Sequence, residues 1–325
     1  MSTVSNVTTA RAVTQDRLQD GAPAASVQPP PAGGRPLPPG LVLGALGVLG
    51  FSFSLPATRL AVADLDPWLV AFGRAVVAGA LSLALLAATR APRPTRRQVR
   101  SLAVVALGVV VGFPLFTSLA LHRLPAAHGA VVVGMLPAVT AIAAVLRAGE
   151  RPTRAFWLAS GAGLAAVMAF ALTQGGGGLS SADLELLAAV VLCALGYAEG
   201  GRLARELGGA RTICWALVLA LPVTVVVAGA ALATAGAHAS ATAWLGFSYV
   251  SVVSMFLAFF AWYAGLARGG VAKIGQVQLG QPVLGLVWAA LILGEHVGPA
   301  TAAAALAVLV CVVATQRTRV VAAKP

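Results

Sequence analysis

The sequence predicts an all-α polytopic membrane protein, with ten transmembrane helices arranged as two inverted-topology five-helix repeats. Three observations carry this. Of 325 residues, 59% are hydrophobic and only 10% are charged, against about 25% charged in a soluble domain. The apolar residues fall into segments of the length that crosses a bilayer, about 20 residues. Finally, one part of the chain matches another without a gap at an offset of 145 residues, as Pro137 matches Pro282.

Taken in order, residues 1–40 hold seven of the 19 prolines, with Ser, Thr and Gln and no apolar run. Such a segment buries too little apolar surface to order itself and has no signal-peptide core, so it reads as a disordered cytoplasmic tail. Ten candidate spans follow, near 41–62, 69–88, 101–121, 128–147, 155–173, 185–203, 213–235, 242–265, 273–293 and 299–316. The stretch 212–267 has no Lys, Arg, Asp or Glu in 56 residues, which suits two spans and a short link. Runs such as Ala103-Val104-Val105-Ala106-Leu107 do not alternate as barrel strands must, so the spans read as helices. The halves are then 41–173 and 185–316, joined by 174–184, with 317–325 as a second cytoplasmic tail.

The formal net charge of +12 invites a nucleic-acid reading, but the basic residues are not gathered on a soluble module. With a cytoplasmic N-terminus, 19 of the 22 Lys and Arg fall in inner segments and only Arg123 in an outer loop. That asymmetry places both termini inside, in an inner (plasma) membrane, and excludes nucleic acid as a partner. The expected partners are the lipid bilayer and a small-molecule substrate, with monomer and homodimer both open. Cys193, Cys214 and Cys311 show no metal-binding or C-x-x-C spacing and read as small apolar residues. No metal, cofactor, catalytic set or phosphate-binding motif is expected. The run Gly175–Gly178 lacks the Gly-Lys-Ser/Thr that an ATP site needs.

The repeat pairs Leu121 with Leu266, Arg123 with Arg268, Ala127 with Ala272, Pro137 with Pro282, and Gly149-Glu150 with Gly294-Glu295. Five helices separate the copies. An odd number makes the second copy enter the membrane from the opposite side, an arrangement frequent in secondary transporters. The mid-span Leu136-Pro137 and Gln281-Pro282, each followed by an apolar run ending in Gly-Glu, resemble the EamA family of the drug/metabolite transporter superfamily. Phe72-Gly73-Arg74 in span 2 and Ser254 through Trp262 in span 8 are similar to that family too, whereas Gly50-Phe51-Ser52 stands where it often carries Trp-Gly. The resemblance covers about residues 41–316. It implies ten helices, secondary transport and a site lined by spans 1, 3, 4, 6, 8 and 9. Export of a small metabolite or amino acid is the leading expectation. Multidrug export, or a membrane protein that transports nothing, is the alternative.

Ionisable residues inside a span are costly and usually face a cavity or a partner. Arg74 snorkels to the interface, attracts a substrate carboxylate or forms a structural pair with an acid. Glu199 either pairs with Arg202, three residues on, or meets the substrate. Lys273, one of two lysines, starts span 9, as His128 starts span 4. Gln276, Gln278 and Gln281 place three amides in span 9, for helix–helix bonding or for the path. Ser254 and Trp262 in span 8, Phe116 and Thr117 in span 3, Met135 in span 4 and Tyr197 in span 6 complete the candidate path. Pro137 and Pro282 remove mid-span backbone donors and are the expected hinges. Glu150 and Glu295 are structural candidates, expected to face the positive start of the next helix.

Overall fold

The computed structural model describes residues 38–148, 153–174, 180–269, 274, 275 and 277–317. The expected N-terminal tail up to residue 37, residues 175–179 of the inter-repeat loop, residues 318–325 of the C-terminal tail, Glu150, Lys273 and Gln276 lie outside them. The helical stretches are α1 (Pro39–Ala61), α2 (Pro67–Ala88) and α3 (Arg96–Arg123), followed by α4 in two pieces (Ala126–Val133 and Leu136–Ala148) and α5 (Arg154–Gln174). The second half holds α6 (Ser181–Leu207), α7 (Gly209–Ala235), α8 (Ala241–Gly269), α9 (Val277–Leu293) and α10 (Pro299–Arg317). Among the described residues, seven helices, α1–α4 and α6–α8, are long and apolar enough to cross a membrane. α5, α9 and α10 carry shorter apolar stretches, Arg154–Phe170, Val277–Leu293 and Pro299–Ala314.

Several helices run further than their apolar cores. α3 starts at Arg96 because Thr95 and Gln98 form a reciprocal capping box there. Ser180 and Asp183 do the same for α6. Asp66 caps α2 by accepting from the backbone of Trp68 and Leu69 at 2.9 and 3.1 Å, with Pro67 preset for the first turn. Gly208 and Gly236 close α6 and α7 at φ of 85° and 73°, which a side chain resists. In the α1–α2 loop, Asp64 accepts from the Ser240 backbone at 2.9 Å. Hydrogen bonds from the Ser240 side chain and backbone hold its carboxyl below the usual range.

The surface is apolar where a soluble protein would be charged. Leu158, Val226, Leu245 and Leu291 are 74%, 70%, 71% and 75% exposed. On this scale such exposure needs an apolar solvent, and the chain is an integral membrane protein.

Inside, helix neighbours follow a pattern. α1 packs along α8 and α3 along α6; α2 meets α7, α5 meets α10, and α4 meets α9. The first two pairs demand close backbone approach. A methyl built on Gly47 of α1 would lie 2.9 Å from the N and Cα atoms of Trp262. One on Gly196 of α6 would lie 3.3 Å from the Val109 backbone N of α3. Both α3 and α8 widen into a π-helical stretch, Ala106–Gly112 and Tyr249–Leu257, positions that coincide at the 145-residue offset. Such bulges frequently mark functional segments of a helix.

Candidate functional site

The centre of the helix packing holds two connected spaces. The first is lined by Phe51, Ser54 and Leu55 of α1, Arg74 of α2, Val109, Phe113 and Pro114 of α3, Leu136 of α4, Cys193 and Tyr197 of α6, Ser254, Met255 and Phe259 of α8, and Gln281 of α9. The second, smaller one lies between the broken part of α4 and the start of α9 and contains Ser52, Gly134, Pro137, Gln278, Gln281 and Pro282. Leu55 and Gln281 belong to both, so the spaces meet there.

The local chain explains the shape. α4 pauses at Gly134 and Met135, just before Pro137. α9 opens with a tight 3₁₀ turn, Val277–Leu279, just before Pro282. The two irregularities face each other: a methyl on Gly134 would lie 3.1 Å from the Pro282 ring. Irregular backbone is tolerated at membrane depth where it lines a cavity or packs against protein. Gln278 is buried and its amide sits 3.5 Å from the Gln281 carbonyl, and Gln281 lines both spaces.

In the larger space, Arg74 is 2% exposed. Its Nη2 donates to Ser254 Oγ at 3.1 Å, and the Ser54 and Ser254 hydroxyls are 2.6 Å apart. The opposite wall is aromatic. Phe51 lies edge-on to Phe259 at 4.7 Å, and Tyr197 is 6.4 Å from Phe51 and 5.5 Å from Trp262. A small polar head beside an apolar wall suits an amphipathic solute.

The expected residues divide accordingly. Arg74, Tyr197, Ser254, Gln278, Gln281, Pro137 and Pro282 come together around the two spaces. Trp262 stands behind the aromatic wall, buried and packed on Tyr197. Glu199 is turned away: its carboxylate is 2.5 Å from Arg202, which also donates to Ser101. Thr117 spends its hydroxyl on the Phe113 carbonyl, 2.6 Å away, and Phe116 is outside the lining. Met135 packs towards Gly163 of α5 instead and is outside the lining of both spaces. Glu295 corrects a detail of the expectation. Its two oxygens accept from the backbone of Ala126 and Ala127 at 2.8 Å each, so it caps α4 and not the following helix. Ser54, Cys193 and Phe51 were not among the expected path residues. Ser54 meets Ser254 across 200 residues of sequence, a pairing without any local signal.

A third space of about 380 Å³ lies by the α3–α4 and α9–α10 connections. There the His128 ring is 2.7 Å from Asp183, tying α4 to α6, and Arg123 bonds Ser181 and Glu185 beside it.

Fold and cavity together define an integral membrane protein built around a mostly apolar central space that many helices share and that holds a buried arginine. A family model described as the EamA-like transporter family matches the chain twice, over residues 38–172 and 180–315. The chain belongs to this family and is an EamA-family transporter. The Bacillus subtilis (strain 168) protein called "Uncharacterized transporter YdeK" is 48% identical over 278 residues, which are 86% of this chain and 97% of that protein. A solved crystal structure resembles the fold with a TM-score of 0.59 at 20% identity, covering 86% of this chain and 98% of the other. At that identity the likeness speaks for the fold alone.

Proposed function

We propose that this protein is a secondary active transporter of the inner membrane that exports a small metabolite or amino acid. It works by alternating access between two inverted five-helix halves, 41–173 and 185–316, linked by 174–184, with cytoplasmic tails at 1–40 and 317–325. The observation that carries the reading is the central cavity at the crossing of α4 and α9, where two helix irregularities related by the 145-residue offset meet. The helix neighbours support it: exchanging each helix with the one five later turns the α1–α8 contact into α6–α3 and leaves α2–α7, α4–α9 and α5–α10 unchanged. Such exchange symmetry lets one half rock on the other about a fixed site. The cluster of Arg123, Glu185, His128 and Asp183 closes the periplasmic end in this reading, and the Arg97–Glu206–Arg202 ion pairs lie at the cytoplasmic end.

The test uses everted vesicles from cells overproducing the protein, incubated with an isotope-labelled cytosolic extract and read by mass spectrometry. At least one solute accumulates beyond control vesicles, and Gln281→Leu removes the excess at equal protein level. Identical solute profiles with and without the protein refute the proposal. Reporter tags at both termini report from the cytoplasm; a periplasmic C-terminus refutes ten crossings.

A further inference from the structure

Among the described residues, the lining of the larger central space carries one formal charge, the guanidinium of Arg74, and no Asp, Glu, Lys or His. This side chain is 2% exposed, has a buried Nε without a hydrogen-bond partner, and takes part in none of the ion pairs among the described residues. Arginine does not escape by giving up its proton, as lysine can. A buried cation satisfied by a single serine hydroxyl is poorly compensated. Guanidinium offers donors and no acceptor, so its remaining donors suit oxygen acceptors, and an anion would offset the charge as well.

We propose that the cavity takes an organic anion, a carboxylate with a compact apolar body. The carboxylate meets Arg74 and Ser254, and the body lies against Phe51, Tyr197 and Phe259. This rests on the transporter reading and names its substrate class. The guanidinium fork matches a carboxylate in two parallel bonds, and the aromatic wall supplies the apolar contact. An organic cation finds no carboxylate in the lining and is repelled by Arg74, which sets the site against cationic drugs. Loop or surface charge plays no part: the selectivity comes from a single guanidinium where the surroundings screen it little.

Four probes share one body and differ in charge: 3-phenylpropionate, 3-phenylpropionamide, 2-phenylethylammonium and phenylalanine. Each is titrated against the full detergent-purified chain at neutral pH, with thermal unfolding as readout. The carboxylate raises the unfolding midpoint at concentrations about tenfold or more below the amide and the ammonium. Arg74→Gln abolishes that response and raises the midpoint of the ligand-free protein, because an uncompensated cation is gone; an arginine serving only as a structural strut would lower it. Arg74→Lys folds with its charge kept but lacks the planar fork, and its carboxylate response is about tenfold weaker. Preference for the ammonium or amide, an unchanged response in Arg74→Gln or Arg74→Lys, a lowered ligand-free midpoint in Arg74→Gln, or no response to any probe overturns the assignment. Ammonium preference with vesicle flux leaves the transporter reading standing. Arg74-dependent carboxylate binding without flux of any solute keeps the anion site and overturns transport.

Discussion

Glu295 links the two halves through a helix start. α4 has no side-chain cap of its own, and the first two backbone donors, Ala126 N and Ala127 N, are each held by a Glu295 oxygen at 2.8 Å. A hydrogen bond to a charged group contributes about 1.5–3 kcal/mol, and a negative charge at a helix start about 0.3–1 kcal/mol more. Glu295→Gln keeps one acceptor and loses the other with the charge. Because the glutamate is half-exposed, the lower end applies, about 2 kcal/mol. At about 1.4 kcal/mol per tenfold, opening of the first turn of α4 becomes about 10- to 30-fold more frequent. Hydrogen–deuterium exchange of the full-length protein reads this directly, as faster exchange of the amides of residues 126–129 with the first turn of α10 unchanged. Faster exchange at α10, or no change at α4, refutes the capping argument.

Two further outcomes test the packing. A cysteine pair at Ala130 and Gly285, with Cys193, Cys214 and Cys311 replaced by alanine, cross-links under mild oxidation. A Cβ on Gly285 lies 3.2 Å from that of Ala130, close to the roughly 3.5–4.5 Å that a disulfide spans; free thiols on both after oxidation, read by mass spectrometry, contradict the α4–α9 contact. Gly47→Val destabilises by about 1–3 kcal/mol or more, since its Cβ would lie 2.9 Å from the Trp262 backbone. Gly229→Ala, which meets nothing within 4 Å inside α7, leaves the unfolding midpoint unchanged or slightly raised. Equal midpoints for both variants contradict the close α1–α8 approach.

Much of the scaffold was legible in the sequence for a simple reason. A hydrocarbon solvent forces apolar segments and internally bonded backbone, and both leave a linear record. Pro137 and Pro282 stand out in the sequence because symmetry marks them twice, and both line the central space. Single polar residues were not readable to the same degree. Glu199 and Arg74 look alike as isolated ionisable groups in apolar spans. One is turned to Arg202 on its own helix, the other into a cavity with no carboxylate. The side of a helix that a residue faces depends on what packs there. The π stretches of α3 and α8 shift that facing in a way that no straight helical wheel reproduces.

The sequence by itself determined the solvent, the class of fold and the repeat. Those follow from composition, span length and the matched Pro and Gly-Glu positions, properties that add along the chain. Only the tertiary structure decided that Ser54 meets Ser254 beside Arg74, that Glu295 caps α4, and that Arg74 and an aromatic wall line the same buried space. These are pairings between distant segments. Their energy depends on distance and on exclusion of water, and neither is set until the helices pack.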